Sequence, residues 1–272
     1  MDECAYLPEH YASEIGINAI FQSDEVLERI FRLPISKQDK ERLRQWTPVE
    51  LNGRIHFAGQ VFAGNQFRWT RRLECRKCVA ETPYHRVWWQ LECFRTCPVH
   101  RCALEPLAYE RNTTGRWWPR FDRVLQERAV RVELGDAADT FESHIVRRLL
   151  DPSCQASPRE LSDFIECAQF AGRLLGNERN PSVPPFSAKD WEVGYHALKD
   201  GLFLFKDQFR SWLRVNAPQL HAYQIRDLIG WAAEYLTDQK GPFDPEIDDL
   251  PNPMHAEVSA IIRAECRRAL GR

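Results

Sequence analysis

Apolar residues recur every three or four positions through most of the C-terminal half of the chain. Leu161, Phe164, Ile165, Ala168 and Leu175 keep a 3.6-residue period, which predicts an amphipathic helix. Ser157-Pro158-Arg159-Glu160 ahead of them is a capping box with proline at the first helical position, and Gly176 suits the C-terminal cap. Residues 180–185 form a Pro-rich linker. Ser187, with Asp190 three residues on, opens the next helix. Trp191, Tyr195, Leu198, Leu202, Phe205, Phe209 and Leu213 then alternate spacings of four and three, which predicts one continuous apolar stripe facing a core. A helix over about 219–237, an acidic Pro-rich loop and a helix around 257–270 complete this half.

The N-terminal half is patterned differently. Ser23 caps a predicted helix running to Phe31 and ended by Pro34. Ser36, with Asp39 three residues later, marks a second helix start with Leu43 and Trp46 on one face. Helix, short turn and helix are compatible with a helix-turn-helix module, although two short helices also serve as plain packing elements. From about residue 66 the composition changes: Trp69, Trp88, Trp89, Trp117 and Trp118 fall between 66 and 128. Residues 86–91, Arg-Val-Trp-Trp-Gln-Leu, read as a short strand from their β-branched and aromatic content, with one of the tandem tryptophans buried and the other half-buried. No internal repeat of fixed period and no low-complexity tract is present.

Composition narrows the class. The 272 residues are 43% hydrophobic and 28% charged, a globular balance that excludes a disordered chain, a collagen-like fibre or a simple coiled coil. No stretch approaches 18 consecutive apolar residues, and the acidic start Met1-Asp2-Glu3-Cys4 lacks the basic and apolar regions of a signal segment; the expectation is a cytoplasmic protein with no membrane partner. A net charge of −2 excludes a general polycationic DNA coat but leaves room for a local patch. Residues 66–102 carry eight Arg and Lys against three Glu, and residues 238–257 carry six acids against one Lys.

Nine cysteines are many for such a chain, and an odd number cannot all pair. Cys75 and Cys78 form a C-x2-C pair, and Cys97 and His100 form a C-x2-H pair beyond an 18-residue excursion. Two tight pairs at this distance match a structural zinc site of the Cys3His type, one ion per chain. A C-x2-C turn aims two thiolates at one ion, and a folded-back segment brings the second pair opposite. Four protein ligands leave no open position, so the site is structural and not hydrolytic. Cys93 and Cys102 are close enough in sequence to replace a nominal ligand, or to serve as small buried hydrophobes. Cys4, Cys154, Cys167 and Cys266 are isolated, and Cys167 falls on a helical core pattern.

Around this constellation the residues resemble the TniQ/TnsD family. Phe67-Arg68-Trp69, Cys75-x2-Cys78, Pro83-Tyr84-His85-Arg86, Trp88-Trp89-Gln90-Leu91 and Cys97-Pro98-Val99-His100-Arg101-Cys102-Ala103-Leu104 carry the resemblance, over about 67–105. Two departures stand inside it: no proline follows Cys75, and Arg101 occupies the position where the family usually has glycine. The usual opening helix signature is not recognisable near residues 6–18. The resemblance implies a transposition adaptor that selects or marks target duplex DNA, or engages an RNA-guided complex. It also implies recruitment of an AAA+ transposition ATPase and self-association. Zinc binding by Cys75, Cys78, Cys97 and His100 carries over residue by residue.

The residues fit an adaptor in their own right. Arg68, Arg71, Arg72, Arg76 and Lys77 are the candidate phosphate contacts, a kind of contact that positions a protein on DNA without reading sequence. The alternative is a zinc-stabilised protein-interaction module with little or no direct DNA binding. No G-x-S-x-G, P-loop, G-x-G-x-x-G or H-E-x-x-H motif occurs. Asp248 and Asp249 lie in a Pro-rich loop, and His144 and His196 lie on helical stretches; the expectation is a protein that is not an enzyme. The predicted fold is mainly α with a small β-containing zinc-binding module. It divides into a helical region at 1–65, the aromatic and basic zinc module at 66–128, and an α-helical region at 129–272.

Overall fold

The computed structural model describes residues 27–28, 30–68, 73–81, 86–106, 139–151, 161–185, 187–217, 222–237 and 253–271. They form a mainly α-helical protein with two small antiparallel sheets. The chain divides into two compact units, Met1–Ala138 with Val146–Gln155, and Asp139–Ile145 with Ala156–Arg272. No helix among the described residues is long and apolar enough to cross a membrane. The capping box at 157–160, the tryptophans 69, 117 and 118, the segment Pro83-Tyr84-His85, Cys4, Cys154 and the acidic loop at 238–252 lie outside the described residues.

In the first unit, Leu27, Glu28 and Ile30 are helical ahead of a turn. The Ser36 hydroxyl then accepts from the Asp39 N–H at 3.1 Å and caps α1, Lys37–Trp46. No residue of α1 is buried. Leu43 is exposed, and Trp46 meets the core, edge-on to Phe57 at 5.5 Å and Trp88 at 6.2 Å. A three-stranded meander follows, made of β1 (Val49–Leu51), β2 (Arg54–Phe57) and β3 (Gln60–Ala63). The pattern of apolar residues predicts only helices for this region, not strands. Both hairpins turn on two residues with positive φ, Asn52-Gly53 at 54° and 75° and Ala58-Gly59 at 50° and 73°, the type I′ geometry that matches strand twist. Ile55 faces Phe62 across the ladder, and with Phe57 they form the buried face.

That face continues across the boundary drawn at residue 65. Phe67 stands edge-on to Phe57 at 6.0 Å and Phe62 at 5.5 Å and bridges to Leu91. Described residues on both sides of 65 therefore share one core. Residues 87–90 are a 3-10 helix, not the expected strand. The reason is burial: Trp88 and Trp89 are both inside, whereas consecutive strand residues point to opposite faces. Arg86 lies over the two indole rings.

The second unit is helical: the first part of α3 (Phe141–Leu150), then α4 (Leu161–Leu175), α5 (Ala188–Leu198), α6 (Leu202–Asn216), α7 (Ile225–Ile229), α8 (Ala232–Thr237) and α9 (Pro253–Ala269). Leu161, Phe164, Ile165 and Ala168 are buried as their period predicts; Leu174 rather than Leu175 closes the stripe. Ser187 caps α5 in a capping box with Asp190. The stripe from Trp191 to Leu213 is not one helix. It breaks at Gly201, whose φ of 106° an L side chain rarely adopts; Trp191, Tyr195, Leu198, Phe205, Phe209 and Leu213 are buried on either side of the break, while Leu202 is half-buried. The helix expected at 219–237 is likewise two pieces, separated at Gly230 with φ 58°; residues 218–221 lie outside the described residues. Cys167 is fully buried, as its pattern predicts.

A candidate metal centre

The centre is held at the neck of a closed loop. β4 (Leu73–Glu74) pairs antiparallel with β5 (Glu105–Pro106), so the two ends of the excursion meet and Cys75 leaves the sheet at a fixed point. The chain turns directly into α2, Arg76–Glu81, which carries Cys78 inward; the Cys78 N–H points at the Cys75 sulfur at 3.5 Å. On the other side Thr96 bridges to Ala103, and the Cys97 N–H donates to the Cys102 carbonyl at 2.8 Å. The turn between them presents His100, whose N–H points at the Cys97 sulfur at 3.4 Å. Arg101 closes that turn with φ 52°, the left-handed conformation that glycine adopts without strain. Arg101 therefore holds this turn at a conformational cost.

The four donors Cys75, Cys78, Cys97 and His100 lie within 4.8 Å of one another, and the three cysteines are buried. The His100 Nδ1 stands 3.5 Å from the Cys75 sulfur, 3.2 Å from Cys78 and 3.9 Å from Cys97. The Cys78 and Cys97 sulfurs are 3.6 Å apart. A tetrahedron with metal–sulfur bonds of about 2.3 Å and metal–nitrogen bonds of about 2.0–2.1 Å has S···S edges of about 3.8 Å and S···N edges of about 3.6 Å. These four separations lie within about 0.4 Å of those edges, and the whole set converges within 4.8 Å, so the cluster could hold a metal ion. Proton sharing between Cys78 and Cys97 draws the Cys97 thiol down to about 5, helped by backbone N–H groups of His100 and Val99. The shared proton and burial push the Cys78 thiol up. Burial pushes Cys75 to about 11. A cation entering the cluster displaces protons from Cys75 and Cys78, so its binding is coupled to pH.

The two rival cysteines have separate places. The Cys102 sulfur lies 3.5 Å from the Cys75 sulfur and is not one of the four converging donors. Cys93 is buried in the core and is not one of them either.

The basic residues fare differently. Arg68, expected to contact phosphate, is buried. Its guanidinium donates to the carbonyls of Trp89 at 3.1 Å, Glu92 at 3.0 Å and Phe94 at 3.4 Å, and pairs with the Glu92 carboxylate at 3.2 Å. It ties the chain beside Phe67 to the 3-10 helix and to the segment after it, and burial lowers its proton affinity. Arg76 is exposed but pairs with Glu105 at 2.6 Å across the neck of the loop. Lys77 is exposed. Arg71 and Arg72 lie outside the described residues. One contact to the site was not foreseen: the second ring nitrogen of His100, Nε2, lies 2.7 Å from the Glu81 carboxylate.

Comparisons with protein-family models, with curated proteins and with solved structures return no match.

Proposed function

We propose that the protein is a non-enzymatic adaptor built round one structural zinc ion, of the kind its TniQ/TnsD resemblance implies. In that reading it marks a target site on duplex DNA, alone or with an RNA-guided complex, and recruits an AAA+ transposition ATPase. The observation that carries the reading is the convergence of Cys75, Cys78, Cys97 and His100. Three thiolates and an imidazole are a zinc donor set, and all four positions belong to the stretch that bears the resemblance. When bound, zinc supplies a cross-link between the two arms of the loop. The chain's own residues do the rest: β4 and β5 close the neck, α2 orients Cys78, and the turn at 98–101 orients His100.

A second reading has its own support. With Arg68 committed to internal carbonyls and Arg76 paired with Glu105, two of the five candidate phosphate contacts are already engaged. That favours a zinc-stabilised interaction module with little direct DNA contact. Three measurements test the proposal: metal content by mass spectrometry for the wild type, Cys97→Ser and His100→Ala; gel shifts on random duplex over a salt series; and co-purification with an AAA+ transposition ATPase. About one zinc per chain, reduced in both variants, with a salt-steep shift and ATPase capture, supports the adaptor on DNA. Zinc and capture without a shift at low salt support the interaction module. Absence of zinc from fresh, reduced protein overturns both.

A further inference from the structure

Glu81 stands out against local expectation. It is the last residue of α2, where the helix dipole favours a cation over a carboxylate, and no basic residue occupies that turn. Cys78 and Glu81 are three residues apart on one helix, which places them on one face. The Cys78 sulfur approaches His100 at Nδ1 while the Glu81 carboxylate approaches the same ring at Nε2. The imidazole is thus gripped at both nitrogens from a single helix. With a 2.7 Å separation and a carboxylate that can only accept, Nε2 carries the hydrogen and donates it. Nδ1 is then left with its lone pair toward the three sulfurs.

We infer that Glu81 is the positioning residue of the metal centre: it fixes the His100 tautomer and ring orientation so that Nδ1, not Nε2, is the fourth ligand. This rests on the metal reading above. The carboxylate is 59% exposed and the imidazole 16%. An ordinary ion pair at such exposure contributes little to stability. The effect of Glu81 is therefore expected on metal affinity and tautomer, not on folding. Metal-ligating histidines commonly use their second nitrogen this way, and loss of such an acceptor typically costs 10–100-fold in affinity.

The test uses the full chain and Zn2+ alone. Affinity is measured by competition with a chromophoric chelator for the wild type, Glu81→Ala and Glu81→Gln. The His100 tautomer is read from its ring 15N shifts in the zinc-loaded wild type. The expected result is zinc coordination at Nδ1 with a protonated Nε2, a 10–100-fold weaker Glu81→Ala, and a Glu81→Gln that recovers most of the affinity because its amide oxygen still accepts. Wild-type affinity in Glu81→Ala overturns the inference and leaves the metal centre standing, as does coordination through Nε2. A Glu81→Gln as weak as Glu81→Ala overturns the hydrogen-bond argument. A wild type that binds no zinc overturns the metal reading itself, and this inference with it.

Discussion

The helical unit is most sensitive where α4 and α5 touch. Gly172 lies against Asp190 and Gly194 against Ala168, so residue numbers rise along one helix as they fall along the other and the pair is antiparallel. A Cβ on Gly172 would sit 1.5 Å from the Asp190 carbonyl oxygen, and one on Gly194 would sit 1.7 Å from that of Ala168. The obstacles are backbone atoms and cannot rotate aside. Restoring ordinary contact at 3.4 Å requires the helices to part locally by about 1.7–1.9 Å, which a close-packed interior does not absorb. A gap of that size forfeits much of the dispersion energy along the seam. Overpacking costs about 1–3 kcal/mol and occasionally more, and two backbone clashes place this seam at the upper end. Alanine returns about 1 kcal/mol of helix propensity. Gly172→Ala and Gly194→Ala are each expected to destabilise this unit by about 2–3 kcal/mol. The double variant should cost clearly less than the sum, because one displacement accommodates both methyls. Urea unfolding followed by far-UV circular dichroism reads the change. A Gly172→Ala protein as stable as the wild type would refute the close approach, and strict additivity would refute a shared seam.

Three further expectations are quicker to check. Glu265 is buried on α9 and accepts a fork from Arg210 at 2.9 and 3.0 Å as well as hydrogen bonds from Arg268; Arg210 chiefly holds its carboxyl below the usual range. The stability this supplies is fully present above the ordinary Glu value near pH ~4.3 and is lost as pH falls through the lowered folded value. Glu265→Gln should therefore cost about 2 kcal/mol at neutral pH and flatten the acid limb of a stability–pH curve; an unchanged acid limb would count against it. Arg101→Gly removes a left-handed arginine worth about 1–2 kcal/mol of strain at an entropic cost of about 0.5–1 kcal/mol, so chemical denaturation of the metal-loaded protein should show it unchanged or slightly more stable, against the usual sign for glycine. Chelation, or Cys75→Ser, should unfold the first unit and leave most helical signal intact, whereas Cys102→Ser should keep its metal; loss of metal from Cys102→Ser would make it a ligand.

What could be read from sequence depended on whether the deciding physics was local. The cap at Ser187, the stripe of Leu161, Phe164, Ile165 and Ala168, and the four donors at 75, 78, 97 and 100 are spacings, and spacings survive folding. The meander at 49–63 carried half a signal. Asn52-Gly53 is a type I′ turn in sequence as well as in structure, but its partner turn places an alanine at φ 50°, which no composition rule anticipates. The stripe reads as one period in sequence although Gly201, with φ 106°, ends one helix and begins the next, because residues on both sides of it, Leu198 and Phe205, are buried. Trp88 and Trp89 looked like strand residues because aromatic content does not distinguish a strand from a buried 3-10 turn. Glu81 was visible as a C-x2-C-x2-E spacing, but its meaning needed the position of the second His100 nitrogen.

Arg68 is the sharpest case, because its two possible roles predict opposite outcomes for one conservative change. As a phosphate contact, arginine and lysine are nearly equivalent: a charge is kept, and Arg68→Lys would leave nucleic-acid affinity and its salt dependence close to wild type. As an internal tie, they are not. The guanidinium spreads its donors over the carbonyls of Trp89, Glu92 and Phe94 and the Glu92 carboxylate. An ammonium is a single point that cannot span that set. Its charge would also be buried with fewer partners, and each carbonyl left without a donor costs about 1–3 kcal/mol. Arg68→Lys is therefore expected to destabilise the first unit by about 2 kcal/mol or more, seen as a lower urea midpoint for that unit with the helical unit unmoved. Lys77→Ala, on the exposed face of α2, should do the reverse: stability unchanged, and any salt-dependent DNA affinity weakened. An Arg68→Lys protein with wild-type stability, and with DNA affinity and salt dependence also close to wild type, would put Arg68 back on the surface and overturn the internal tie.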